Sequence, residues 1–146
     1  MEYQLLTGHE LDVLIGLGLS LVCGFLIGYE RELRGKPAGI STNSFVIAGA
    51  MLFTTLSIAA DPNSPARIAA QVVSGIGFLG AGMILKEEIA GKVTNLTTAA
   101  SIWFSAAVGM ALGFGWYLIA IAAAVFGAIV PRLPTARRQK RDNNGT

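Results

Sequence analysis

From Val93 to Pro131 the chain runs for 39 residues without one charged side chain. As a single helix rising ~1.5 Å per residue this run would be about 58 Å long, whereas about 20 apolar residues suffice to cross roughly 30 Å of bilayer hydrocarbon. The run must therefore fold back on itself. Gly113-Phe114-Gly115-Trp116-Tyr117 supplies the place: two glycines free the backbone for a turn, and Trp and Tyr favour the headgroup level. Elsewhere, charges leave uncharged stretches at 13–29, 37–60 and 68–85, each sized for one crossing. Five spans are predicted, near 11–30, 44–60, 67–85, 97–113 and 116–133. The expected fold class is all-α: a polytopic bundle of five transmembrane helices over 1–133, followed by a basic cytoplasmic tail over 134–146.

Composition agrees. Hydrophobic residues make up 53% and charged residues 14%, against about 25% charged in an ordinary soluble domain. No stretch is left for a separate soluble domain, and a net charge of +2 gives no reason to expect nucleic acid. Cys23 is the single cysteine and lies in an apolar run, so neither a disulfide framework nor a cysteine-rich metal site is expected, and it reads as a packing residue. Glu2, Glu10 and Asp12 precede the first span with no Lys or Arg, so the basic start of a cleavable signal is missing and this segment is expected to stay as an anchor. Of eleven basic residues, the five-span scheme puts ten on one side (Arg31, Arg34, Lys36, Lys86, Lys92, Arg132, Arg137, Arg138, Lys140, Arg141) and Arg67 on the other. The positive-inside rule then predicts an external N-terminus and a cytoplasmic C-terminus. The basic tail reads as a topology anchor at the membrane surface, with lipid or partner binding as the alternative.

Helices in lipid associate through close backbone approach, for which small residues four apart are suited. Gly16, Ser20, Gly24 and Gly28 form such a stripe in the first span, and Ser101, Ser105, Gly109 and Gly113 another in the fourth. Each fits either packing within one protomer or a seam between copies. In the third span, Gly75-Ile76-Gly77-Phe78-Leu79-Gly80-Ala81-Gly82 matches the G-x-G-x-x-G spacing of dinucleotide folds but lacks the βαβ context and the following ribose-binding acid. Glycines in a helix interior cost roughly 1 kcal/mol each relative to alanine. Gly75, Gly77, Gly80 and Gly82 are therefore expected to mark close helix contact, a kink or a locally unwound segment that could expose carbonyls to an ion.

No Asp, Glu, Lys, Arg or His lies mid-span, so a membrane-embedded proton relay has no obvious parts. Gln71 and Ser74 in the third span, Thr54, Thr55 and Ser57 in the second, and the group from Asn95 through Thr97 and Thr98 to Ser101 remain. Gln71 is the most unusual, because its amide needs a partner in low dielectric; a bond to another helix is expected, with a substrate ligand as the alternative. In Glu30-Arg31-Glu32-Leu33-Arg34-Gly35-Lys36-Pro37, a continuing helix would pair Glu30 with Arg34 and leave Arg31 to face another element. This cluster reads as interfacial anchoring or as a gate or docking site. Asp61, in Asp61-Pro62-Asn63-Ser64-Pro65, reads as a turn or cap residue, or as one contact to a hydrated cation. His9 stands alone and Cys23 has no visible base, so neither enzyme activity nor a cofactor is expected.

Three segments in order carry a resemblance. Gly28-Tyr29-Glu30-Arg31-Glu32-Leu33-Arg34-Gly35-Lys36-Pro37-Ala38-Gly39, Arg67 through Gln71 and Ser74 to Gly82, and Leu96-Thr97-Thr98-Ala99-Ala100-Ser101-Ile102-Trp103 resemble the MgtC/SapB family. Their order and spacing cover most of the membrane region. The resemblance implies a five-span protein of the bacterial inner membrane associated with growth in low magnesium and, in some pathogens, with virulence. It implies contact with the ATP synthase or a cation-transport ATPase as possible partners. It also implies a short form, without the additional C-terminal cytoplasmic domain of many relatives. Two positions depart from the family pattern: Ser41 stands where an arginine is common, and Asn95 where a glycine often precedes Leu-Thr-Thr. The expected function is regulation of magnesium homeostasis and membrane energetics through other membrane complexes. An ion transporter or channel at the glycine-rich third helix is the alternative, and a structural homo-oligomer a third reading.

Overall fold

The computed structural model describes residues 10–64, 66–85 and 95–133. It contains five α-helices: α1 (Glu10–Leu33), α2 (Ile40–Ala60), α3 (Ala66–Leu85), α4 (Leu96–Gly113) and α5 (Tyr117–Ile129), the last running into a 3₁₀ turn at Val130–Arg132. The predicted helical bundle is present. Helices α1, α2 and α4 are each long and apolar enough to cross a membrane, and shorter apolar stretches lie at Ala69–Ile84 and Tyr117–Arg132. Two predicted boundaries shift: α1 continues past Glu30 to Leu33, and α2 begins at Ile40 rather than at residue 44. Charge marked where the apolar region ends, but backbone hydrogen bonding decides where a helix ends.

The same device closes α1 and α4. Gly35, at φ +60°, donates its N–H to Glu32 O at 3.0 Å while Lys36 N–H reaches Arg31 O at 2.9 Å. Gly115, at φ +76°, donates to Leu112 O at 2.9 Å while Trp116 N–H reaches Ala111 O at 2.8 Å. Both are Schellman motifs, in which a left-handed residue satisfies the last carbonyls; glycine takes that conformation without a Cβ penalty. The break expected at Gly113 to Gly115 therefore has a defined chemistry.

Short turns make α1 and α2, α2 and α3, and α4 and α5 antiparallel neighbours. Arg34 Nη1 donates to Pro131 O at 3.2 Å, which brings the end of α5 back to the end of α1. Arg31, Arg34, Lys36 and Arg132 thus share one end of the bundle, and Arg67 starts α3 at the other. Lys86, Lys92, His9 and the tail over 134–146 lie outside the described residues.

Helix α2 is central, with α1 and α4 packed along it. Cys23, Ile27, Ile47, Met51, Val108, Leu112, Ala120 and Ala124 form the main core, so Cys23 is a packing residue. The stripe on α1 faces α2: a Cβ on Gly24 would lie 2.6 Å from Ser44 Cα, and one on Gly28 would lie 2.5 Å from Ile40 Cα. The stripe on α4 faces α2 from the other side: a Cβ on Gly109 would lie 2.8 Å from Ala50 Cβ, and one on Gly113 would lie 2.7 Å from Met51 O. Both stripes are thus used for packing inside one protomer. Helix α5 docks on α1 and α4 through Ala120, Ala124 and Ala128, all buried.

Gly24→Val is expected to lower the stability of the detergent-solubilised protein by about 2 kcal/mol or more, because the added carbons meet the Ser44 backbone as well as its hydroxyl, and the backbone cannot turn aside. Gly18, around which a Cβ finds nothing within 4 Å, is the control: Gly18→Ala should stabilise α1 by up to about 1 kcal/mol. Thermal unfolding followed by circular dichroism checks both, and equal midpoints for the two variants would refute the assigned packing.

Candidate functional site

The polar core of the bundle sits at its basic end and is built around one strained turn. Ala38 adopts φ +60°, a left-handed conformation that costs a residue with a Cβ roughly 1–2 kcal/mol. Three successive carbonyls of this turn, those of Pro37, Ala38 and Gly39, accept from side chains. Arg31 Nε donates to Ala38 O at 3.0 Å and to Pro37 O at 3.2 Å, and Nη2 donates to Pro37 O at 2.7 Å. Asn43 Nδ2 donates to Ala38 O at 2.7 Å and Gly39 O at 2.8 Å. Each side chain then reaches α4: Arg31 Nη2 donates to Thr98 Oγ1 at 2.5 Å, and Asn43 Oδ1 accepts from Ser105 Oγ at 2.7 Å. Arg31 is 3% exposed and Asn43 is fully buried.

Helix periodicity explains the division of labour among the charges. Glu30 and Arg34, one turn apart, form an ion pair, and Arg31 projects to a different side, as the sequence spacing predicts. Glu32 Oε1 accepts from Ile40 N at 3.2 Å, which satisfies a donor at the start of α2 and suits the positive end of its dipole.

Next to this network lies a cavity of about 320 Å³ lined by Glu30, Arg31, Arg34, Lys36, the first turn of α4 and the end of α5. Asn95 precedes α4 at φ +62° and provides no side-chain cap. Asparagine is among the few residues that tolerate this conformation, and glycine is the other natural choice, which explains why Asn95 can stand where the family often has glycine. Thr98 is buried behind Arg31, whereas Thr97 is exposed at the cavity.

The third-span candidates are placed differently from expectation. Helix α3 is continuous from Ala66 to Leu85, so its glycines mark neither a break nor an unwound segment. A Cβ on Gly75, Gly77 or Gly82 would find nothing within 4 Å, and one on Gly80 would make ordinary contact with Ala99 at 3.7 Å. Gln71 and Ser74 are exposed, and Gln71 makes no hydrogen bond to another described residue. The helix-to-helix bond expected of it does not form among the described residues, because the residues of α3 that turn inward are Ala69, Ile76 and Gly80. Between α2 and α3 runs a groove of about 490 Å³ whose lining, from Phe45 and Phe53 to Val72 and Leu79, is apolar except at Gln71.

Asp61 ends α2, donating its N–H to Ser57 O at 3.1 Å and accepting from Ser64 N at 3.1 Å, as a turn residue does. No cluster of three or more potential metal ligands occurs among the described residues. Three span hydroxyls bond back to their own helix: Thr54 to Ala50 O at 2.8 Å, Ser20 to Gly16 O at 2.7 Å and Ser101 to Thr98 O at 3.0 Å. Sequence reasoning missed Asn43 and the polar role of Ser105. The available signal was an asparagine one turn into a span, where an unpaired amide is costly.

A model of the MgtC family matches residues 17–137. The chain belongs to the MgtC family. It is 46% identical over 112 residues to Protein MgtC of Salmonella typhimurium (strain LT2), an alignment covering 77% of this chain and 48% of that protein. It is 48% identical over 108 residues to Protein MgtC of Brucella abortus (strain 2308), covering 73% of this chain and 44% of that one. The chain thus spans about half the length of these MgtC relatives. No solved structure matches it. Family and apolar helices together make it a membrane protein.

Replacing Asn43 by Leu leaves the turn carbonyls and the Ser105 hydroxyl without their partner, and is expected to destabilise the bundle by about 2 kcal/mol. A double-mutant cycle of Asn43→Ala and Ser105→Ala, read by unfolding in detergent, should return a coupling of about 0.6–1.7 kcal/mol, the range found for hydrogen bonds between membrane helices. Strict additivity would show that the two side chains do not interact.

Proposed function

We propose that this MgtC-family protein is an inner-membrane regulator of magnesium homeostasis and membrane energetics that acts by helix contact with other membrane complexes rather than by moving an ion itself. The carrying observation is the outward face of α3. Gln71 and Ser74 are exposed there beside Gly75, Gly77 and Gly82, and Phe78 is 81% exposed. In lipid an amide without a partner is costly, and bare glycine backbone is the surface on which another helix packs most closely. A transmembrane helix of another complex satisfies both conditions: it can approach the glycines and bond Gln71. The family resemblance suggests the ATP synthase or a cation-transport ATPase as the source of that helix. The four described basic residues gathered at one end support a cytoplasmic placement of that end, with the N-terminus external.

Two measurements test this reading. Proteoliposomes carrying the purified protein and a trapped magnesium indicator should show the same Mg²⁺ entry as empty liposomes. Gly77→Leu should keep the wild-type helical content and unfolding midpoint in detergent, yet lose both copurification with the ATP synthase or cation-transport ATPase and support of growth in low magnesium. Mg²⁺ entry that rises with the amount of protein and falls in Gln71→Leu would replace the contact mechanism by transport.

A further inference from the structure

We infer that the cavity at the basic end is a binding site for a phosphoryl anion, of the kind carried by an acidic phospholipid headgroup or by free phosphate. This inference is independent of the α3 face. Its first support is the state of Arg31. The guanidinium is 3% exposed, and every acceptor it bonds is neutral: the carbonyls of Pro37 and Ala38 and the hydroxyl of Thr98. Those bonds use Nε and Nη2; Nη1 has no hydrogen bond to a described residue, and Arg31 lines the cavity. A buried cation with an unused donor beside a cavity requires a counter-charge. The neighbouring carboxylate, Glu30, makes its direct ion pair with Arg34 and acts on Arg31 only through space, so one carboxylate serves two arginines. Glu32 lies outside the cavity and serves the start of α2.

The second support is what else faces the cavity. Arg34 and Lys36 line it, so three cations meet one carboxylate among its described residues. The first turn of α4 also lines it. The first intrahelical bond there runs from Ala99 N to Asn95 O, and Asn95 provides no side-chain cap. The N–H groups of Leu96, Thr97 and Thr98 therefore have no acceptor within the helix, and an 18-residue helix adds the positive end of its dipole. Arginine forks, a lysine and free helix N–H groups are the donors that phosphoryl oxygens take.

The third support concerns the rim. Leu96, Val130 and Leu133 are 59%, 40% and 60% exposed and border the same cavity. A volume of about 320 Å³ is at the small end of the range of ligand sites, about 300–1,000 Å³. Apolar side chains around a cationic floor suit an amphiphile whose phosphate enters while its chains stay in the bilayer.

Native mass spectrometry of the detergent-purified full chain, titrated with phosphatidylglycerol or phosphatidylcholine, tests the site. The wild type should retain phosphatidylglycerol in preference to phosphatidylcholine. Lys36→Gln, an exposed change, should weaken that retention about fivefold or more, whereas Arg132→Gln, at the same end but outside the cavity lining, should change it less than twofold. Arg31→Gln should abolish it; if that variant fails to fold, Lys36→Gln alone decides. Displacement of the lipid by millimolar inorganic phosphate identifies a free phosphoryl anion as an occupant, and failure to displace it identifies the headgroup; either result upholds the site. Equal retention of the two lipids with no response to phosphate, or equal weakening by Lys36→Gln and Arg132→Gln, overturns it.

Discussion

The bundle depends on one peptide group. The Ala38 carbonyl, turned inward by a left-handed φ of +60°, accepts from both Arg31 Nε and Asn43 Nδ2. Arg31 belongs to α1 and Asn43 to α2, and both continue to α4, through Thr98 and Ser105. A single turn thus fixes the relative heights of three helices. Lipid offers no hydrophobic force to hold helices together, so such polar links have more to decide than in water, where burial alone would align apolar faces. The strain at Ala38 is offset by these bonds, two of which come from a charged donor of the stronger class. Lysine could not replace Arg31 here, because one ammonium point cannot reach two successive carbonyls and a hydroxyl on another helix in the fixed fork the guanidinium provides.

Glycine has opposite uses in this chain. On α1 and α4 it removes a side chain so that α2 can lie between two close neighbours, with Gly24 against Ser44 and Gly109 against Ile47 and Ala50. On α3 three of the four glycines, Gly75, Gly77 and Gly82, stand where a Cβ would meet no other atom within 4 Å. Dispersion contacts repay the first use directly. The second brings no such return within the protomer, and it accompanies the exposed Gln71 and Ser74. Rigid core and outward face are therefore divided between α1, α2 and α4 on one hand and α3 on the other.

Much of this organisation was legible in the sequence because it follows from local rules. The five segments came from charge spacing and bilayer thickness, the α4–α5 break from Gly113 to Gly115, and the Glu30–Arg34 pair from helix periodicity. What was not legible depends on facing. The spacing of Gly16 to Gly28 specifies a smooth stripe but not its partner, and only the tertiary arrangement shows that α2 fills it. Gly75 to Gly82 left close contact, a kink or an unwound segment open for the same reason: the cost of glycine is visible in one dimension, while the neighbours of each position are not. Asn43 escaped notice because its uncharged amide let it pass as part of an apolar stretch. Its burial required knowing that α2 starts at Ile40, which is set by Gly35, Pro37 and the turn they force, not by hydropathy.

The turn that orders the three helices also governs the electrostatics of the basic end. Arg31 is held by neutral acceptors and its charge is offset only through space by Glu30, whose direct ion pair is with Arg34. Glu30 is shared between the two arginines in this way, so the three cations that line the cavity meet a single carboxylate among its described residues. The one-residue difference in helical phase between positions 30 and 31, about 100° around α1 at 3.6 residues per turn, separates a carboxylate paired with the exposed Arg34 from a buried cation that still has a donor to offer. Packing and charge at this end are consequences of the same helical register.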